Sequence, residues 1–455
     1  MPKEPTYYPL TTAQQVMYVN LKYCFKKSVV NICTMLHFEC EMDPNLLLQS
    51  VHVAMLRNQS SAVRVHKVGK EIMQYLSDAA PDPVIVMDYS DRTDEELEND
   101  INTWSQTPFP NKSMDTQLYS IRLIKKPNGF YGFYFCVSHL AFDAYALIST
   151  ASDMMKIYAA LRDGTAIPRA KGNYLRLCET DWEYRKSEKY EKCLDYWKKE
   201  VYNTQPLYTA VEPSKMKPAK KNPRTTQDVN IFNSKGYHVN YTLKADIVNS
   251  VSEAAIGMNI SPQCFYLLAV RSFLSSINND QDDVMFLNTV ARRATLLQKR
   301  SGGTRVLSVP FRMNFDNKTM TVKEALNTIS TLQAGYYAHV DFLITDIIGD
   351  FFIDEFHKGE MDGYHTVNVT FNPFSISLPE GIKARLATYS NGANAMPVYL
   401  SIMALDDSGD LNFNYDCMTC FTKPDTAKKM HEHITKALKA MVENPDMTLL
   451  DLNKV

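Results

Sequence analysis

Residues 130–137, Phe-Tyr-Gly-Phe-Tyr-Phe-Cys-Val, form an almost unbroken apolar run, and behind it the spacing of apolar residues changes. Beyond Asp143 they recur at helical intervals, as Leu147, Ala151, Met154, Tyr158 and Leu161, until Gly164 supplies a stop. The run reads as a buried strand that delivers the chain straight into a helix, an α/β arrangement. Between the two lie Ser138-His139-Leu140-Ala141-Phe142-Asp143, at the strand-to-helix position that ligand sites in such folds favour.

The rest of the chain alternates in the same way. Asp43-Pro44 opens a helix to residue 57 with Leu47, Val51, Ala54 and Met55 as its apolar stripe. Residues 62–65 and 72–75 read as a short hairpin. Thr93 caps an acidic helix to residue 104, and 118–124 pairs with 129–137 across a turn. The stretch 212–224, rich in Pro and Lys, reads as an exposed loop near a domain junction. A second α/β half follows, with helices over 262–277, 322–337 and 424–442 and strands over 284–290, 365–371, 398–405 and 411–415. A length of 455 residues suits two or three domains or one pseudo-symmetric unit.

Composition narrows the class. Lys plus Arg is 49 against 51 for Asp plus Glu, so the net charge of −2 calls for neither nucleic acid nor an anionic membrane. The nine cysteines are odd in number and scattered through apolar runs, which reads as reduced thiols. With no apolar stretch of membrane-spanning length and no apolar leader, the expected location is the cytoplasm. Monomer is the default expectation.

His139-x-x-x-Asp143 is the main constellation. An imidazole titrating near neutrality takes a proton from an attacking amine or alcohol, or holds it by a hydrogen bond. The plain alternatives are a satisfied core histidine and an N-capping aspartate. Other candidates are weaker. Cys417-x-x-Cys420 has redox or zinc spacing without a second pair. His431 and His433 lie two residues apart on a helix and face different ways, so no metal site is expected. His339 and His365 read as ordinary part-buried histidines, and Met154-Met155 as core. The basic run 215–224 reads as a solvated loop, with contact to a phosphate or an acidic partner as the other reading.

The order of several segments resembles the condensation domains of nonribosomal peptide synthetases, within the chloramphenicol-acetyltransferase-like superfamily. That family carries H-H-x-x-x-D-G after a strand, where this chain has Ser138-His139-Leu140-Ala141-Phe142-Asp143-Ala144. Tyr8-Pro9-Leu10-Thr11-Thr12-Ala13-Gln14 is similar to the first motif. Asn288-Thr289-Val290-Ala291-Arg292-Arg293 resembles the segment ending in Gly-Arg, and Arg305-Val306-Leu307-Ser308-Val309-Pro310-Phe311-Arg312 the one ending in Pro-x-Arg.

The resemblance implies two acetyltransferase-like subdomains, 1–175 and 176–455, arranged as a V with a tunnel between them. It implies a stand-alone condensation-type acyltransferase that moves an acyl or aminoacyl group from a phosphopantetheine thioester to an amine or hydroxyl acceptor. His139 matches the catalytic histidine. Asp143 matches a structural aspartate, paired across the domain interface with an arginine that corresponds to Arg293. Leu307 and Ser308 fall where tunnel-lining residues occur. The family pattern differs at Ser138 (His), Ala144 (Gly), Arg292 (Gly) and Leu307 (Asn). No bound cofactor is implied, and the acyl donor is a carrier protein acting in trans. A coenzyme A donor and a non-catalytic carrier-binding platform are the alternatives.

Overall fold

The apolar run becomes Tyr131–Ser138, the central strand of a five-stranded sheet. It pairs antiparallel with Asn31–Phe38 on one side and Tyr119–Lys125 on the other. Ile85–Asp88, parallel to Tyr119–Lys125, forms one edge, and Ala384–Tyr389, antiparallel to Asn31–Phe38, forms the other. The helices Pro44–Arg57 and Ala144–Arg162 pack together and cover one face, where Leu47, Val51, Phe133, Phe135, Val137, Leu147 and Met154 are buried. The helix Asp94–Ser105 covers the other, packing its Leu97 and Ile101 with Met35, Tyr134 and Cys136. A strand covered on both faces has no outward positions left for polar residues, which is why it reads as a continuous apolar run.

This computed structural model describes residues 4–170, 172–227, 235–348, 350–359, 362–373, 376–404, 406 and 408–455. The chain divides into two units that are discontinuous in sequence. The first gathers Met1–Lys186, Ala291–Val306 and Ser375–Ala393; the second holds Ser187–Val290, Leu307–Phe374 and Asn394–Val455. Where the sequence suggested a single cut near residue 175, the chain leaves the first unit after Lys186 and returns to it twice.

Sterics lock the first return. Gly302 and Gly303 both have left-handed backbones, with φ of +65° and +73°. A Cβ on Gly303 would sit 2.5 Å from the Tyr174 ring, and one on Gly302 would sit 2.6 Å from Asn58 Oδ1. Only glycine reaches this backbone shape at such close approach.

In the second unit the strand order is Leu307–Asn314, Asp283–Val290, Val367–Asn372, Val398–Met403, Leu411–Met418 and Gly236–Leu243. The helices Gln263–Ile277, Val322–Ala338 and Thr426–Glu443 stand where apolar periodicity put them. Arg312, the arginine of the Pro-x-Arg segment, is buried against Asp283 at 2.7 Å and bonds the Val201 and Thr204 carbonyls, a structural role. Leu405 and Asp407, in the strand and turn expected near 398–410, lie outside the described residues. All nine cysteines are free. Among the described residues no helix is long and apolar enough to cross a membrane, and no group of three or more His, Cys, Asp or Glu is placed to hold a metal.

The two kinds of glycine constraint separate by mutation. Gly164→Ala meets only the left-handed backbone, since nothing lies within 4 Å of the added methyl, and should cost about 1–2 kcal/mol. Gly303→Ala adds overpacking against Tyr174 and should cost about 2–5 kcal/mol. Denaturant midpoints at unchanged slope measure both; equal losses would mean that the Tyr174 contact does not constrain the segment.

Candidate active site

Where Tyr131–Ser138 ends, the backbone turns sharply, and the polar groups of that turn have lost their sheet partners. Each must find another or pay for its burial. The His139 amide donates to the Val30 carbonyl at 2.7 Å, and the Leu140 amide to Ser138 Oγ at 3.3 Å. The amides of Ala141 and Phe142 both donate to the Ser138 carbonyl, at 2.9 and 3.0 Å. Two carbonyls then need donors from elsewhere. Thr304 Oγ1 donates to the His139 carbonyl at 2.5 Å, and Gln14 Nε2 donates to the Leu140 carbonyl at 2.9 Å. Ser138 is therefore buried scaffold, its hydroxyl consumed inside the turn.

Asp143 ends the turn and caps the helix Ala144–Arg162, accepting from the Ala146 amide at 2.8 Å. Its carboxylate is fully buried and also takes Arg293 Nη2 on both oxygens at 2.9 Å and the Arg305 amide at 2.8 Å. Arg293 is held in turn by the Gln298, Gly302 and Gly303 carbonyls and lies over the Tyr145 ring, 4.8 Å from its centre. The expectation of a pair across a domain interface is corrected here. Arg293 belongs to the returning segment Ala291–Val306, so the ion pair is internal to the first unit.

With both oxygens occupied, Asp143 is not a hydrogen-bonding partner for His139. The imidazole Nδ1 is sealed from solvent without a partner, while the residue as a whole is only half-buried. Nε2 is thus the nitrogen left for an incoming group. Burial lowers the pKa of His139 from the ordinary 6.5 to about 4, against the opposing pull of the Asp143 charge and the Phe142 carbonyl. At neutral pH the ring is uncharged. The cap takes the Ala146 amide and the helix takes that of Leu147, leaving the amides of Ala144 and Tyr145 as first-turn donors at a half-buried helix start.

The remaining candidates are placed as follows. Leu307 and Ser308 belong to the second unit. Leu307 is buried in register with Val290, and Ser308 Oγ bonds Thr289 at 2.9 Å and Asn368 at 2.9 Å. Cys417 is buried in the second sheet opposite Val398, and Cys420 follows that strand. His339 stacks on Tyr196, and His431 and His433 serve different neighbours, Tyr241 and Ser272. Met154 and Met155 are core. Loop 212–224 is anchored through Met216, Ala219 and Asn222, with its basic side chains outward.

Sequence reasoning missed the supports. Gln14 enters the sequence reading only as the end of the first motif; it bonds Gln74 at 3.0 Å, which receives the Tyr174 hydroxyl at 2.7 Å. Asp181 takes the Thr12 amide and hydroxyl, each at 2.8 Å, and Arg292 at 3.4 Å. Arg292 holds a left-handed φ of +53°, at the position where the family pattern has glycine.

A family model described as Condensation domain matches residues 4–455. Surfactin synthase subunit 1 of Bacillus subtilis (strain 168) is 21% identical over 463 aligned residues, which cover 99% of this chain but 12% of that protein. Among solved structures, the first condensation domain of the calcium-dependent antibiotic synthetase superimposes with a TM-score of 0.81 at 17% identity, covering 98% of this chain and 99% of that one. The starter condensation domain of rhizomide synthetase RzmA in complex with C8-CoA gives 0.82 at 16%, covering 98% and 97%. VibH, an NRPS condensation enzyme, gives 0.76 at 15%, covering 95% of each chain. At these identities the structural likeness speaks for the fold, while the family model spans the whole described sequence: the chain belongs to the condensation-domain family.

Proposed function

We propose that this chain transfers an acyl or aminoacyl group from a carrier-protein phosphopantetheine thioester to an amine or hydroxyl acceptor, with His139 handling the acceptor's proton. The carrying observation is a part-buried imidazole at the family's motif position, with Asp143 fully engaged elsewhere; burial keeps the ring neutral. In the reaction the acceptor nitrogen or oxygen attacks the thioester carbonyl carbon. A C–N or C–O bond forms, the C–S bond breaks, and the acceptor's proton ends on the departing thiolate sulfur.

A base with a pKa near 4 does not strip an ammonium ion. The amine must therefore arrive unprotonated. The ring accepts its hydrogen bond, orients it, and takes the proton only as bond formation makes the nitrogen acidic. Orientation supplies most of the rate, because a thioester is already activated. The free first-turn amides at Ala144 and Tyr145 suit the charge that develops on the acyl oxygen. Asp143 and Arg293 carry the fold of the turn and take no proton. A free coenzyme A thioester is the second reading for the donor, favoured by the relative that was solved with C8-CoA.

Intact-mass assay of acyl transfer, with donors on a carrier protein and on coenzyme A, distinguishes these readings. Wild type should form product, and His139→Ala should lose about 10²–10⁴-fold in rate. Binding of a loaded carrier protein with no donor consumed would instead make the chain a non-catalytic platform.

The pH profile follows from the same burial. The active form is neutral His139, so activity is kept above its folded pKa and lost as pH falls through it. The acid limb of kcat/KM, corrected for the fraction of free amine, should lie well below 6.5 and near 4. A limb at 6.5 or above would show that the ring is not held as described.

A further inference from the structure

We infer that Thr304 is a positioning residue for His139, acting through the histidine's own backbone carbonyl; the inference deepens the proposed function and rests on it for the catalytic reading. Thr304 is 3% exposed and reaches the His139 carbonyl with Oγ1 at 2.5 Å from a segment 165 residues further along the chain. The residue's other backbone group is tied too, because the His139 amide is fixed on the Val30 carbonyl. With amide and carbonyl both anchored, the Cα–Cβ direction of His139 is set by three chain segments that meet only in the folded state.

The side chain itself is less firmly restrained. Nδ1 has no well-formed hydrogen bond, and the Phe142 carbonyl is the backbone group that draws on the ring. In many histidine sites a carboxylate or carbonyl on the second nitrogen orients the ring. Here Asp143 is committed to Arg293 and the Arg305 amide. The backbone is thus what aims the imidazole, and Thr304 is the side chain that grips the backbone at that residue.

The grip is itself braced. Just ahead of Thr304, Gly302 and Gly303 fix the approach, and just behind it Arg305 Nε donates to the Arg292 carbonyl at 3.0 Å. Arg292 reaches Asp181, which also holds Thr12 at the start of the helix carrying Gln14. Thr304 on the His139 carbonyl and Gln14 on the Leu140 carbonyl therefore belong to one connected frame.

Thr304→Val keeps the shape and removes the donor; Thr304→Ser keeps the donor. Two readouts are taken on the whole chain: steady-state kinetics, and the NMR titration of His139, assigned by its absence in His139→Ala. Thr304→Val should lower kcat about 10–100-fold with KM within about twofold, as misplacement of a catalytic group does. It should also move the His139 resonance and raise its titration toward 6.5, the ordinary value. Thr304→Ser should restore both. A His139 titration in Thr304→Val identical to wild type overturns the inference whatever the activity, as does equal impairment of Val and Ser variants. Because the titration needs no turnover, failure of the proposed reaction in wild type is seen separately from failure of this inference.

Discussion

The ion pair between Asp143 and Arg293 is the interaction on which the rest of the first unit's architecture depends. Both side chains are almost wholly removed from water, at 0% and 2% exposure. Burial of such a pair is tolerable only when nearly every remaining hydrogen-bonding position is filled, and of this pair's polar atoms Arg293 Nε alone is left without a partner. Asp143 accepts from Arg293, Arg305 and Ala146, and Arg293 donates to three carbonyls in residues 298–303. One carboxylate thereby caps a helix, closes the turn behind the central strand, and captures a segment from much later in the chain. Removing either partner leaves a buried charge alone, a loss of about 3–5 kcal/mol.

The chemistry of the site follows from that commitment. A carboxylate with a free oxygen beside a histidine would accept from its ring N–H and favour the charged ring. Asp143 has none to give, so desolvation wins and His139 stays neutral. The cost is a ring with no hydrogen-bonding partner on Nδ1, and backbone contacts from Thr304 and Val30 take over its placement. Aim and protonation state are thus set by different groups: Thr304 and Val30 hold the backbone, and burial keeps the ring uncharged.

The elements legible in the sequence are those whose causes are local. The central strand, the capped helices at Asp43 and Thr93, and the helix after Asp143 each carry their cause within a few residues. The pairing of Asp143 with Arg293 was legible by resemblance, and the catalytic reading of His139 rests on that same resemblance. The supports were not legible. Thr304 is an unremarked residue between a Gly-Gly pair and an arginine, and nothing nearby hints at a carbonyl 165 residues away. The same holds for Asp181, and for the strand Ala384–Tyr389, which joins a sheet built from the beginning of the chain. The unit boundaries escaped for the same reason, since a segment's allegiance is decided by tertiary contacts rather than by periodicity.

A double-mutant cycle on Asp143 and Arg293, followed by unfolding free energy, tests most directly whether this pair organises the site. Asp143→Ala and Arg293→Ala should each be strongly destabilising. The double variant should lose much less than the sum, because no lone charge remains buried, with a coupling energy of about 2–3 kcal/mol. Losses that add to within about 0.5 kcal/mol would show the two residues to be independent. In that case neither the captured segment nor the neutrality of His139 is explained by the pair.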